Sequence, residues 1–167
     1  PIASMVNLRA SGIGLKIIGL VPHVAGAKRV DLATAGLNAR FNQLVEAFAG
    51  VRSMLDSGRH ADIDHSTVVV ASSAPEEGKT ITACNLAVSY AKIGQRTLLI
   101  DLDLRRPRLG RIFSMPEAAL SLIEVLGRRE TSSFDSLAFP TALDRLHVIA
   151  SRSSTEYPPA EIMGDQI

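Results

Sequence analysis

Residues 67–103 read TVVVASSAPEEGKTITACNLAVSYAKIGQRTLLIDLD, and this stretch decides the fold. The β-branched run at 67–71 is too short for a buried helix and predicts a strand that leads into a loop. Residues 79–93 carry apolar side chains at helical spacing and stop at Gly94, which predicts a helix. A second apolar run at 97–100 predicts another strand. Strand, helix and strand in this order form a βαβ unit, so we predict an α/β fold with a parallel sheet.

The rest of the chain continues the alternation of helices and strands. Apolar residues recur at threes and fours from residue 31 to about residue 55, which predicts a long amphipathic helix. Weaker patterns predict a strand or extended segment at 15–21, helices at 108–113, at 120–128 and from about 159, and a strand at 146–150. We therefore divide the chain into a lead-in segment at 1–30, an amphipathic helix at 31–58 and an α/β core at 66–167.

The composition excludes several classes of protein. With 167 residues, 46% of them hydrophobic, the chain is long enough for one domain with a buried core and lacks the composition of a disordered tail. A net charge of +1 gives no reason to expect a nucleic-acid partner. The single cysteine, Cys84, excludes an internal disulfide and a cysteine-based metal site, and it is typical of a small buried residue. No apolar run reaches the roughly 18 to 20 residues that cross a bilayer.

The loop between the first predicted strand and the helix has the residues that bind phosphate groups. Phosphates need converging backbone N–H groups, a helix N-terminus and one flexible cation. Gly78 allows close approach of the backbone, Lys79 supplies the cation, and the Thr80 hydroxyl is placed to bind Mg²⁺. The general motif G-x-x-x-x-G-K-[ST] is incomplete, because Ser73 stands where its first glycine is expected. A surface lysine at a helix start is the alternative, and the flanking strand and helix disfavour it. We predict nucleotide contacts from Ala74, Pro75, Glu76, Glu77, Gly78, Lys79, Thr80 and Ile81.

Two carboxylates follow the second predicted strand. Asp101 and Asp103 stand at its carboxyl end, and ligands bind at this edge of a parallel α/β sheet. In one interpretation they hold Mg²⁺, directly or through water, and accept a proton from an attacking hydroxyl. In the other, the pair caps the following helix and forms ion pairs with nearby arginines. Four arginines follow this pair, namely Arg105, Arg106, Arg108 and Arg111. They either bind phosphate or an acidic partner, or they form an ordinary solvated helix start.

Two segments, SSAPEEGKT at 72–80 and LLIDLDLRRPRL at 98–109, closely resemble motifs of one family. These are the Walker A and Walker A′ motifs of the bacterial tyrosine kinases of polysaccharide co-polymerase systems, which are relatives of the MinD and ParA ATPases. The resemblance covers about residues 14–167 and includes LVP at 20–22 and PAEI at 159–162. It implies that the core is P-loop NTPase-like and incomplete, with a parallel sheet flanked by helices, and that it binds ATP or ADP with Mg²⁺.

The resemblance also implies an activity, which is that of an ATP-dependent protein-tyrosine autokinase controlling the polymerisation, chain length and export of capsular polysaccharide or exopolysaccharide. By this resemblance Lys79 contacts the β and γ phosphates, and Thr80 binds the metal. Asp101 and Asp103 are metal-linked residues that serve as acid and tyrosine-activating base. The implied location is cytoplasmic, at the inner face of the bacterial inner membrane. The implied partner is a transmembrane polysaccharide co-polymerase domain, on the same or a separate chain.

Several departures from the family pattern favour an alternative function. Glu76 replaces a loop glycine, and Ala49 replaces the first arginine of an E-x-x-R-x-x-R ring-assembly motif, of which Glu46 and Arg52 remain. That helix is therefore either a homo-oligomer contact or a plain solvated face. No later strand ends in aspartate, and a tyrosine-rich tail is lacking, so we expect a chain truncated from a longer membrane protein. The alternative is a non-catalytic or degenerate nucleotide-binding regulatory module of the export machinery. A ParA-like partitioning ATPase is disfavoured by the arginine run at 105–108.

Overall fold

The computed structural model of the chain describes residues 16–25, 27, 28, 31, 33–58, 66–128 and 134–152. Two 3₁₀ turns, at Ala35–Leu37 and Ala39–Phe41, precede the first long helix. The helices are α1 (Asn42–Asp56), α2 (Lys79–Lys92), α3 (Leu109–Ile112), α4 (Leu122–Arg128) and α5 (Phe134–Leu137). The strands are β1 (Thr97–Ile100), β2 (Phe139–Pro140) and β3 (Leu146–Ile149). No helix in the described ranges combines the length and the apolar character needed to cross a membrane.

The sheet of the described residues has three strands in the order β1-β3-β2. Strands β1 and β3 are parallel, with Leu99 opposite Val148, as the alternation of helices and strands predicts. Strand β2 is antiparallel to β3, so the sheet is mixed and the prediction of a parallel sheet holds for one pair only. The reason is the short connection from Pro140 to Leu146, which returns the chain as a hairpin and leaves no room for a crossover helix.

The predicted first strand at 67–71 is wrong for the structure as described. This segment carries no strand, and Val69 is 81% exposed. A strand requires a hydrogen-bonding neighbour, and in the described part of the chain β1, β3 and β2 pair only with one another. The βαβ unit therefore lacks its first strand, although the segment still enters the loop before α2. Residues 16–24 also carry no strand.

The predicted helix at 31–55 is interrupted before Asn42. Asn38 is extended, and its side-chain Oδ1 accepts the Arg40 N–H at 3.0 Å. Asparagine side chains compete in this way with the helical backbone, so two 3₁₀ turns stand at 35–37 and 39–41 where the prediction has continuous helix. The predicted helix start near residue 159 and most of the lead-in at 1–30 lie outside the described residues.

The apolar core lies between α2 and the sheet and places the loop before α2 beside the end of β1. Cys84 and Val88 of α2 pack with Leu99 of β1 and Val148 of β3, all of them buried. Helix α1 covers the outer side of α2, where its Val51 packs with Leu86 and Tyr90. A separate cluster joins α4 and α5 to Ile149. These contacts confirm the predicted α/β fold and bring the N-terminus of α2 to the carboxyl edge of the sheet.

Candidate phosphate-binding site

The phosphate loop, residues 72–78, ends at Gly78, where α2 begins. Gly78 has φ +97°, a left-handed conformation that favours glycine. The helix starts at once, since the Thr82 N–H donates to the Gly78 carbonyl at 2.9 Å. The first backbone N–H groups of a helix have no intrahelical acceptor and carry the positive end of the helix dipole. The loop therefore presents a helix N-terminus of the kind that binds anions.

The phosphate loop is held by hydrogen bonds among its own residues. The Glu77 carboxylate accepts the Ala74 N–H at 3.0 Å and the Ser73 hydroxyl at 3.1 Å. These two contacts lower the pKa of Glu77 below its ordinary value, the Ala74 backbone bond being the larger cause. Lys79 Nζ donates to the Ser72 hydroxyl at 2.9 Å. Glu77 thus stabilises the loop, while Ser72 positions the lysine.

A cavity of about 510 Å³ lies between the phosphate loop and the arginine segment, residues 103–112. Its size is within the range of small-molecule sites. Glu77 and Asp101 do not line it, although the sequence placed both in the site. The sequence-predicted residues that line it are Ala74, Pro75, Glu76, Gly78, Lys79, Thr80, Ile81 and Asp103, and those that the phosphate motif did not single out include Ala33, Ser72 and Ile112.

The Asp101 carboxylate does not line the cavity but accepts hydrogen bonds from three backbone N–H groups of the arginine segment. Its Oδ1 accepts the Asp103 N–H at 3.1 Å, and its Oδ2 accepts the N–H groups of Arg108 at 2.9 Å and Leu109 at 3.0 Å. The residue is 9% exposed. This is the capping contact that the sequence left open as the alternative. Asp103 is exposed, lines the cavity, and accepts the Arg106 N–H at 3.1 Å.

The cavity wall carries more positive than negative charge. The guanidinium of Arg108 lies 3.7 Å from the Glu76 carboxylate, and this ion pair connects the arginine segment with the phosphate loop. Glu76 has φ +67°, a conformation that side chains with a Cβ rarely adopt. Among the described residues, no three or more histidine, cysteine, aspartate or glutamate side chains are grouped so that they could hold a metal ion. The cations that line the cavity are Lys79, Arg105, Arg106, Arg108 and Arg111.

Arg52 and Cys84 also lie outside the cavity. Arg52 Nε donates to the Ser89 hydroxyl at 3.0 Å and lies 3.8 Å from the Asp56 carboxylate, so it joins α1 to α2 within one chain. Cys84 is fully buried in α2. Burial, and secondarily the charge of Asp101, raise the pKa of the Cys84 thiol to about 12.

Comparison with known proteins places this geometry in a family context. The family model of the CobQ/CobB/MinD/ParA nucleotide binding domain matches residues 68–151. A putative tyrosine-protein kinase CapB of Staphylococcus aureus is 31% identical over 119 residues, which are 71% of this chain and 50% of CapB. The succinoglycan biosynthesis transport protein ExoP of Rhizobium meliloti (strain 1021) is 41% identical over 66 residues, 40% of this chain and 8% of ExoP.

A solved structure has the same fold. The BceF tyrosine kinase domain superposes with a TM-score of 0.65 and 25% identity, over 96% of this chain and 66% of that domain. The chain therefore spans half or less of the length of the two curated relatives and about two thirds of the solved domain.

Proposed function

Because the chain belongs to the CobQ/CobB/MinD/ParA nucleotide binding domain family, we propose that it binds ATP or ADP with Mg²⁺ in the cavity before α2. We further propose that it is part of an ATP-dependent protein-tyrosine kinase that regulates polysaccharide polymerisation, chain length and export. One observation carries the proposal. Lys79, the N-terminus of α2 and a row of arginines surround one cavity that can hold a nucleotide's phosphates.

The phosphates would lie on the phosphate loop and residues 79–81. Lys79 now donates to the neutral Ser72 hydroxyl, so a phosphate gains a charged partner when it takes this lysine. The left-handed Gly78 keeps a Cβ away from the ligand, and beyond Gly78 and its two chain neighbours no atom lies within 4 Å of the place where that Cβ would stand. Both features support phosphate contacts along residues 74–81.

The residues at the cavity also fit Mg²⁺. Thr80 and Asp103 line the same cavity and offer hydroxyl and carboxylate oxygens, the donors that Mg²⁺ prefers beside water and phosphate. When bound, Mg²⁺ would neutralise part of the phosphate charge. We assign Asp103 as the carboxylate that meets the metal and the acceptor hydroxyl. Asp101 acts through the three backbone N–H groups that it holds, which set the position of the arginine segment.

The kinase and polysaccharide parts of the proposal rest on the relatives. CapB carries the name putative tyrosine-protein kinase, and ExoP the name succinoglycan biosynthesis transport protein. By analogy, the partner of this chain is a transmembrane polysaccharide co-polymerase domain, and its place is the inner face of the bacterial inner membrane. Of the motif residues proposed for a homo-oligomer, Glu46 is exposed, whereas Arg52 is engaged by Ser89 of its own chain.

A second function, a regulatory module without catalysis, is favoured by Glu76. Its carboxylate stands in the phosphate loop against Arg108, where it repels an incoming phosphate. The two functions differ in whether the chain transfers phosphate to tyrosine.

Calorimetry with Mg·ATP and Mg·ADP tests the nucleotide site. We expect binding by the wild-type chain and a loss of at least about tenfold in affinity for Lys79→Met, since a charge-assisted contact to phosphate is removed. Lys92→Met, at the exposed end of the same helix, is the matched control and should bind like the wild type. Equal affinities of wild type and Lys79→Met, or no binding at all, would refute the nucleotide site.

Labelling with radioactive ATP tests the kinase. Label on tyrosine of the chain or of an added tyrosine-containing polymer, lost in Lys79→Met, is the expected result. ATP binding without any tyrosine labelling would replace the kinase by the regulatory module.

A further inference from the structure

Glu76 occupies an unfavourable backbone conformation inside the phosphate loop. Its φ of +67° lies in the left-handed region, and its carboxylate reaches 3.7 Å from the Arg108 guanidinium across the cavity. The two side chains are 53% and 39% exposed, so water reaches the pair and the contact can open. A residue with a Cβ, placed where glycine is favoured, thus directs a negative charge toward the place proposed for phosphate.

Two of the cations that line the cavity, Lys79 and Arg108, have partners of different charge. Lys79 is held by the neutral hydroxyl of Ser72, so an incoming anion gains a new charge partner there. Arg108 is held by a carboxylate, so an incoming anion must compete with a charge that is already in place. The loop therefore offers one cation readily and protects the other.

The backbone of Arg108 is held in place by a buried carboxylate. Its backbone N–H donates to Asp101 Oδ2 at 2.9 Å, and Asp101 is buried at the end of β1. The next residue, Leu109, donates to the same oxygen and is buried in the core between α2 and the sheet. The guanidinium thus starts from a rigid backbone position, which lowers the entropy lost when it holds a ligand.

We propose that Arg108 is a second phosphate-binding residue of the cavity and that Glu76 is its built-in competitor, which the polyphosphate tail of the nucleotide must displace. The inference rests on the proposed nucleotide site and deepens it. Ligands with more negative charge on the tail displace the carboxylate more easily. The pair consequently favours highly charged tails over singly phosphorylated ones and weakens the binding of every anion that reaches Arg108.

Calorimetry on the full 167-residue chain tests this with Mg·ATP and with tripolyphosphate, which has the phosphate tail but no base. Glu76→Gln removes the charge and keeps the Cβ. We expect it to raise the affinity for both ligands by roughly two- to fivefold, the size expected for an exposed ion pair. Arg108→Gln should lower both affinities by a similar factor. Asp144→Asn, which removes the charge of a 98% exposed side chain that does not line the cavity, is the control and should change neither affinity measurably.

The double variant shows whether the two residues act together. In the Arg108→Gln background, Glu76→Gln should give a clearly smaller gain, because only the direct repulsion between the carboxylate and the phosphate is left to be relieved. The same gain in both backgrounds would overturn the proposal, and so would wild-type affinity in Glu76→Gln. If Glu76→Gly raises the affinity and Glu76→Gln does not, the backbone conformation limits binding, which also overturns it.

The nucleotide site and this inference fail in different ways. Lys79-dependent binding of ATP that ignores Glu76 leaves the nucleotide site standing and refutes the role of the ion pair. Absence of binding by the wild type and by Glu76→Gln refutes both. Urea unfolding identifies any variant that does not fold. The Glu76 side chain is exposed, so we expect Glu76→Gln to keep the fold.

Discussion

Asp101 offers the sharpest test of the structure, because its carboxylate holds three backbone N–H groups. We expect that Asp101→Asn destabilises the protein much more than Asp103→Asn, although both changes remove one charge from the same strand end. An asparagine can present one oxygen, and its NH₂ group then faces a donor that the carboxylate had satisfied.

The magnitude follows from the burial and the bond count. A hydrogen bond to a charged group contributes about 1.5 to 3 kcal/mol, and a buried donor left without a partner costs about 1 to 3 kcal/mol. Since such contributions are not additive, we expect Asp101→Asn to lower the free energy of unfolding by about 2 to 3 kcal/mol. Asp103 is exposed and accepts one N–H, from Arg106, which an asparagine oxygen can still accept. Its replacement should cost about 0.5 kcal/mol or less.

Urea unfolding followed by circular dichroism measures both changes. With a typical slope of about 2 kcal/mol per molar urea, Asp101→Asn should move the midpoint down by about 1 M, at unchanged slope. Asp103→Asn should move it by about 0.3 M at most. Equal and small shifts of the two variants would refute the interpretation that Asp101 organises the arginine segment.

Three further predictions concern the phosphate loop and the core. Because the pKa of Glu77 is lowered, its contribution to stability is fully present above the ordinary value of 4.5 and is lost as the pH falls through the folded-state pKa. The wild type should therefore be more stable than Glu77→Gln in urea at neutral pH, and this difference should shrink in acid. A difference that does not change with pH would contradict this. Cys84, with a pKa of about 12 and no exposed surface, should react with iodoacetamide at pH 8 only after unfolding, whereas rapid labelling of the native chain would contradict its burial. Gly36→Ala should lower the free energy of unfolding by about 1 to 3 kcal/mol, since the new Cβ would stand 2.5 Å from Val88 Cγ1. Gly50→Ala in α1 should raise it by about 0.5 to 1 kcal/mol, because a Cβ there meets nothing within 4 Å beyond the backbone of its own helix.

The sequence predicts the elements whose formation is local. Helix α2 has its start at Gly78, its apolar side through Cys84 and Val88, and its stop at Gly94, which has φ +85°. Each of these signals lies within the segment, so the prediction of 79–93 agrees with Lys79–Lys92 within one residue. The apolar runs of β1 and β3 are confirmed as well, because each of these two predicted strands has the other as its parallel neighbour.

Elements that depend on distant partners are not predicted. The run at 67–71 has the residue types of a strand, yet a strand needs a neighbour, which residue types alone do not supply. Strand β2 has only two residues, one of them Pro140, and is defined solely by its pairing with β3. The break at Asn38 is different, because its cause is local. The Asn38 side chain accepts the Arg40 N–H and interrupts the helix that the apolar periodicity predicts.

In the candidate site, too, the local features are predicted and those that depend on distant residues are not. Lys79 and Thr80 were found because phosphate binding needs a fixed order of residues along the chain, and both line the cavity. The spacing of Asp101 and Asp103 could not show which of them turns toward the cavity, because the answer depends on backbone donors further along, at Arg108 and Leu109. The sequence alone shows Glu76 as a departure from the family pattern, but its pairing with Arg108 depends on the fold.

These contacts form one continuous chain of interactions from the sheet to the phosphate loop. Asp101, buried at the end of β1, holds the backbone of Arg108, and the Arg108 side chain holds Glu76. The first link is a part-buried hydrogen bond to a buried carboxylate, while the second is a half-exposed ion pair and is weak. A ligand can therefore break the second link without disturbing the first, because displacing Glu76 leaves the Arg108 backbone where the sheet has placed it. An arginine that is both fixed and masked differs from an unpaired arginine in that it contributes to binding only when the ligand is charged enough to replace its partner.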